Sequence, residues 1–162
     1  MRKLLVVVAA IAAASCGGNS GNLSQQEAQS VASEISAALQ SHEAASNQLS
    51  FGGSSSVSYT CAGGGTLDVS GSLSVNCPSG IRSCTTNGSL TVDADACTTQ
   101  AGAIIDGHLE ATVTGTGLSF TKTVTGEIVV TRPDGTTATC AVDVTLVFGH
   151  LYGAVCGVSV SK

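Results

Sequence analysis

The predicted fold is decided by one stretch, Ile104-Ile105-Asp106-Gly107-His108-Leu109-Glu110-Ala111-Thr112-Val113. Its apolar side chains stand at positions 105, 109, 111 and 113, and its polar ones stand at positions 106, 108, 110 and 112. Successive side chains of a β-strand point to opposite faces, so this alternation predicts an antiparallel strand with one buried face. The same pattern recurs around Leu67, Val124 and Val142. The chain is therefore predicted to be mainly β.

Turn signals divide the β region into strands. Gly63-Gly64-Gly65, Asn87-Gly88, Thr116-Gly117 and Pro133-Asp134-Gly135 are typical of tight connections. Because the connections are short, an up-and-down antiparallel meander is the expected topology. About seven strands are predicted, near residues 57–61, 66–76, 88–96, 103–115, 118–131, 136–148 and 153–160.

A single amphipathic helix is predicted over residues 24–47, before the strands. Ser24 and Glu27 have the spacing of a capping box, in which each side chain bonds a free backbone amide at the start of a helix. Apolar residues then recur every three or four positions through Val31, Ile35 and Leu39. The Gln, Ser and Glu residues of the other face are expected to contact water. Gly52 to Ser56 is expected to end the helical region.

One helix and one sheet make a two-layer fold. A helix is about 10 Å wide, whereas seven strands at about 4.8 Å spacing span more than 30 Å. A flat sheet would leave much of its apolar face bare, so the sheet is expected to curl around the helix or to close into a barrel. The curled sheet is favoured. The similar sequences of residues 71–75 and 88–92 suggest a solenoid, but no repeat of fixed length supports one.

The N-terminal residues indicate export. Met1-Arg2-Lys3 precedes an apolar run over residues 4–14 that is too short to span a membrane, which is typical of a signal peptide. Ala13-Ala14-Ser15-Cys16 resembles the lipobox of bacterial lipoproteins. The resemblance implies cleavage after residue 15, acylation of Cys16 and, because Gly follows Cys16, an outer-membrane location. Ordinary secretion with an incidental Cys16 is the alternative.

This interpretation divides the chain into three parts. They are a signal peptide (1–15), the lipidated Cys16 with a flexible tether (16–23), and one domain (24–162). Gly and Asn residues of the tether make it polar and flexible. The membrane is thus the partner that the resemblance implies, reached through the lipid anchor.

Six further cysteines predict three disulfides, because an even number in an exported chain is typical of an oxidised framework. A zinc site is the alternative, but no two cysteines have the close spacing that zinc sites use. In a meander, cysteines that end the first strand and the third reach the same edge of the sheet. Cys97 is out of phase with Leu90 and Val92, so a bulge or turn must reorient it. The predicted pairs are Cys61–Cys97, Cys77–Cys84 and Cys140–Cys156.

Few residues are candidates for chemistry. Asp106, His108 and Glu110 share the polar face of one strand and could form part of a metal site, but without further ligands a solvated polar face is the favoured interpretation. His42 lies on the apolar face of the helix and is expected to be hydrogen-bonded in the core or at its boundary. His150 is expected at an exposed hairpin tip. No serine nucleophile elbow or phosphate loop is recognisable, so neither an enzyme nor a bound cofactor is predicted.

Composition narrows the function further. The 162-residue chain has a net charge of −5 and only six basic residues, which argues against a nucleic-acid partner because phosphate binding needs clustered Lys and Arg. Two hypotheses remain. The first is a lipid-anchored structural or interaction protein of the bacterial envelope. The second is a carrier with an apolar ligand between sheet and helix, although aromatic residues, which usually line such pockets, are only 3% of the chain.

Overall fold

The computed structural model describes residues 23–46, 53–79, 83–117 and 119–162. These residues form one α-helix followed by strands of a single antiparallel sheet, as the alternating pattern predicts. The elements are α1 (Gln25–Ser46), β1 (Gly53–Thr60), β2 (Thr66–Asn76), β3 (Thr85–Thr98), β4 (Ile104–Thr116), β5 (Ser119–Thr131), β6 (Thr137–Val147), β7 (His150–Val155) and β8 (Val158–Ser161).

The sheet is a meander of eight strands in sequence order, whereas about seven were predicted. The predicted strand at 153–160 is divided by a two-residue turn at Cys156-Gly157, because both residues have positive φ (54° and 76°). Two left-handed residues between paired strands are the signature of a type I′ hairpin. A second such turn lies at Phe148-Gly149 (φ 52° and 79°). His150, predicted at the tip of this hairpin, is instead the first residue of β7 and pairs with Val147.

Two more strand boundaries differ from the prediction. Asn87-Gly88 lies inside β3, not in a turn. Gly88 is needed there for clearance, because a Cβ atom would come within 2.4 Å of the Leu73 side chain and 2.6 Å of the Ser72 carbonyl. β1 begins at Gly53, so residues 53–56, expected in the break after the helix, belong to the first strand.

The helix begins with the predicted capping box. The Glu27 amide donates to Ser24 Oγ (3.2 Å), and the Ser24 amide donates to Glu27 Oε2 (2.7 Å). Val31, Ile35 and Leu39 are buried against the sheet, as the apolar periodicity predicts. The last residue of the predicted helix, 47, lies outside the described residues.

The polar face of α1 is less exposed than predicted. Glu34 and Ser36 are both buried, although Glu and Ser were expected to contact water. They are buried because the curled sheet approaches the helix from two sides. A smaller part of the helix surface is therefore exposed to solvent than a flat sheet would leave exposed.

The sheet curls without closing. Its outer strands β1 and β8 lie on either side of α1, and the helix contacts both. His42 bonds Ser55 of β1 (2.7 Å), and Gln25 Nε2 donates to the Ser159 carbonyl of β8 (2.7 Å). The helix therefore lies between the two edge strands and is bonded to each of them.

Candidate functional site

Three disulfides stabilise the sheet. They join Cys61 to Cys97, Cys77 to Cys84 and Cys140 to Cys156, with Cα–Cα distances of 5.5, 4.0 and 4.5 Å. This pairing matches the one predicted from the strand order.

The predicted reorientation of Cys97 is present as a β-bulge. The register between β3 and β4 shifts between Ala94 and Cys97, and Ala96 has a left-handed backbone with φ of 47°. The Ala96 amide donates to Asp106 Oδ1 at 2.8 Å. The bulge turns Cys97 into the core beside Cys61, so both sulfur atoms are buried.

The predicted metal candidates on β4 have other partners. Asp106 accepts the amide of the bulge, and His108 Nδ1 lies 2.6 Å from Asp93 Oδ1 on the neighbouring strand. The hydrogen bond that the His108 ring donates to Asp93, together with the negative charge of that carboxylate, raises the pKa of His108. Glu110 is exposed further along β4. These residues form a solvated polar face with one cross-strand pair, and the structure does not bring them together around a common point.

His42 lies in the core, as its place on the apolar face of the helix predicts. It is only 1% exposed, and its Nε2 lies 2.7 Å from Ser55 Oγ. Burial lowers the pKa of this histidine, and the nearby Lys122 ammonium lowers it further. The neutral ring therefore links the C-terminal half of α1 to β1.

A buried lysine was not predicted from the sequence. Lys122 of β5 is 5% exposed, and its Nζ forms an ion pair with Glu43 of α1 at 2.5 Å and donates to the Leu39 carbonyl at 3.4 Å. Burial lowers the pKa of Lys122 against the opposing effect of Glu43. Its position carried a signal, because residue 122 falls on the apolar side of the β5 alternation, between Phe120 and Val124.

An exposed aromatic pair lies beside this lysine. Phe120 and Phe148 are 39% and 71% exposed, and both line a cavity of about 210 Å³ with Lys122 and Glu43. Exposed large aromatic side chains near one another are typical of contact surfaces. We call Phe120 and Phe148 the aromatic end of the domain.

Glu34 lies near the middle of α1 beside a disulfide. One carboxylate oxygen of Glu34 and the sulfur atoms of Cys61 and Cys97 all lie within 4.8 Å of one another. Glu34 is 4% exposed, and its Oε2 has no hydrogen-bond partner among the described residues. The sequence does contain a signal for this burial. Glu34 comes three residues after Val31 and directly before Ile35, so it adjoins the apolar face of the helix.

Glu34 also acts on a neighbouring tyrosine. The pKa of Tyr59 is raised, first by burial and then by the charge of Glu34 and a hydrogen bond to it. Glu34 in addition lines a groove of about 380 Å³, together with residues of α1, β8 and the β3–β4 connection. Polar and apolar side chains both line the groove, among them Gln26, Lys162 and Leu151.

Comparisons with protein families, with curated proteins and with solved structures give no match. Within the described residues, no helix is both long enough and apolar enough to cross a bilayer. The functional argument therefore rests on the residues and contacts given above.

Proposed function

We propose that this protein is a lipid-anchored structural or interaction protein of the bacterial cell envelope, held in the outer membrane through Cys16. The N-terminal residues that suggest the anchor lie outside the described residues, so their support is the lipobox-like sequence itself. The three disulfides support a non-reducing compartment outside the cytoplasm.

The observation that carries the proposal is how the space between helix and sheet is filled. Val31, Ile35 and Leu39 of α1 belong to one continuous buried cluster with the facing side chains of the strands. A carrier of an apolar ligand needs an enclosed apolar cavity of about 300–1,000 Å³. The groove of about 380 Å³ is an open one at the edge of the helix, and polar as well as apolar side chains line it. This packing favours a structural or interaction role over the carrier.

The ends of the domain differ in a way that suits display from a membrane. The start of α1 lies beside the β5–β6 and β3–β4 turns, since Arg132 pairs with Glu27 (3.6 Å) and the Ala101 amide donates to Ser30 Oγ (3.2 Å). The aromatic end lies near the other end of the helix, which is about 33 Å long. A tether that enters at residue 23 would therefore leave the aromatic end distant from the lipid, where a protein partner can reach it.

The test of the anchor is Cys16→Ser in the native envelope. One acyl chain binds a membrane only marginally, whereas two or more anchor it stably. We expect the variant to leave the membrane fraction or to remain an uncleaved precursor. Ser20→Ala, in the tether, is the matched control and should sediment with membranes like the wild type. A processed Cys16→Ser protein that stays fully membrane-bound would refute the anchor.

Mass spectrometry of the purified protein and its lipid extract separates the two functional hypotheses. The proposal predicts acyl chains on Cys16 and no further lipid in stoichiometric amount. A lipid that co-purifies at one molecule per chain, without a covalent bond, would support the carrier instead.

A further inference from the structure

The outer face of β4 and β5 carries a regular array of hydroxyl side chains. On the side of these strands that points away from the core, three cross-strand pairs stand in successive rows: Thr112 with Thr123, Thr114 with Thr121, and Thr116 with Ser119. All six side chains are exposed or half-buried, whereas the alternate residues Val113 and Val124 are buried. We call these six residues the threonine array.

The threonine array is uncharged, and its hydroxyl groups face solvent. None of the six has a hydrogen-bond partner among the residues that the structure describes, unlike Ser70 and Thr91 on β2 and β3, whose hydroxyl oxygens lie 2.9 Å apart. The nearest charge along β4 is Glu110, at the next outward position. A charged ligand would meet no counter-charge within the array, so its charge pattern fits a neutral occupant that donates and accepts hydrogen bonds.

The spacing of the threonine array is close to that of an ice lattice. Neighbouring strands lie about 4.8 Å apart, and residues i and i+2 of one strand lie about 6.8 Å apart. In hexagonal ice, tetrahedral hydrogen bonds of about 2.75 Å between oxygen atoms give repeats of about 4.5 Å and about 7.3 Å on the prism face. The two lattices differ by less than about one-tenth in each direction, so the mismatch over three rows is only about 1 Å.

We propose that the threonine array is a binding surface for the prism face of ice. Each threonine offers a hydroxyl group that donates and accepts hydrogen bonds, as a water molecule of the lattice does. β-Branched side chains have few rotamers, and both strands are paired on each side within the sheet. Because the array is ordered before contact, ice binding costs little conformational entropy.

The curl of the sheet explains why the array is two strands wide. A plane that touches a curled sheet meets about two neighbouring strands, and β4 and β5 are the central pair of the eight. Ser89 of β3 continues the row of Thr112, but the curl turns it away from a plane that lies on the array. The array extends to Thr116 and Ser119, at the end of the domain opposite the start of α1. It is therefore open on the side away from the tether.

The experiment measures partition of the protein into ice. It uses the full chain with Cys16→Ser and intact disulfides, so that the result does not depend on the proposed anchor. Ice is grown slowly on a cooled probe in a dilute protein solution, with albumin as a solute that growing ice excludes. Gel densitometry then compares the protein content of the ice with that of the remaining liquid. Microscopy of single ice crystals in the same solutions reports whether their prism faces become faceted.

The array variants are Thr114→Lys and Thr121→Lys, which place a long charged side chain in its central row. Thr139→Lys is the matched control, because it makes the same change at an exposed position of β6 outside the array. All three positions are at the surface, so circular dichroism and the urea midpoint should match the parent.

We expect the parent and Thr139→Lys to be enriched in the ice severalfold over albumin and to facet the crystals. Thr114→Lys and Thr121→Lys should each fall to the albumin value and leave the crystals as round discs. A parent that growing ice excludes as it excludes albumin would overturn the proposal. Ice fractions of the two array variants equal to that of the parent would overturn it as well.

Discussion

Truncation of Ile35 to alanine tests whether α1 is an integral part of the core. Ile35 is 1% exposed and lies in the cluster between helix and sheet. The change removes three carbon atoms, each worth about 0.8 kcal/mol when buried, so the transfer term alone is about 2.4 kcal/mol. The cavity left behind raises the expected loss to about 2–5 kcal/mol. Alanine is the better helix former by less than about 0.7 kcal/mol, so a large loss must come from packing.

The assay is urea unfolding followed by circular dichroism under non-reducing conditions, because the chain has no Trp to report by fluorescence. Ile35→Val removes one carbon and should lose about 0.5–1.5 kcal/mol. Gln29→Ala, on the exposed side of the same helix, is the control and should change the free energy of unfolding by less than about 0.5 kcal/mol. An Ile35→Ala loss no larger than that of the control would mean that the helix does not pack on the sheet.

Three further predictions concern the buried and paired charges. Glu43→Gln should destabilise the protein more than Lys122→Met in the same urea assay, because it leaves a buried ammonium without its counter-charge, whereas the methionine removes that charge altogether. The pKa of His42 is lowered in the folded protein, so the unfolded chain binds a proton at this ring at a higher pH than the folded chain does. The free energy of unfolding should therefore fall as pH drops below about 6.5. His108 has a raised pKa through Asp93. The contribution of the His108–Asp93 pair to the free energy of unfolding should be present at acidic pH and be lost as pH rises through that pKa. In His108→Gln this pH dependence should be absent. Histidine titrations by NMR check both signs, and equal pKa values for the two rings would contradict them.

The parts of the fold that could be predicted are those that local periodicity controls. Alternation over residues 104–113 identified the buried face of β4, and the capping box placed the start of α1. The disulfide pairing could also be reasoned out, because a meander leaves few places where two cysteines can meet. Even the bulge was foreseeable, since Cys97 is out of phase with its own strand.

The parts that could not be predicted depend on long-range approach. Asn87-Gly88 has the composition of a turn, but Gly88 is there because the Leu73 side chain leaves no room for a Cβ atom. The burial of Glu34 depends on how far the sheet curls around the helix, which no local pattern records. Lys122 is buried because a distant carboxylate, Glu43, meets it across the layer interface. In each case the deciding neighbour is remote in sequence.

The attachment of the proposed anchor gives the helix a second role. The tether joins the domain at Leu23, so any pull from the membrane acts first on α1. All three disulfides join parts of the β region to one another, and none includes the helix. The helix is therefore held by packing and by hydrogen bonds and ion pairs to the edge strands, to β5 and to two turns.

A pull that detached the helix would uncover β1 and β8 while the disulfides kept the sheet intact. Two exposed strand edges on a protein concentrated at a membrane surface are a template for pairing between chains. The burial of Ile35 and its neighbours thus does more than stabilise the core. With the anchor that we propose, we expect this burial also to limit edge-to-edge pairing between copies.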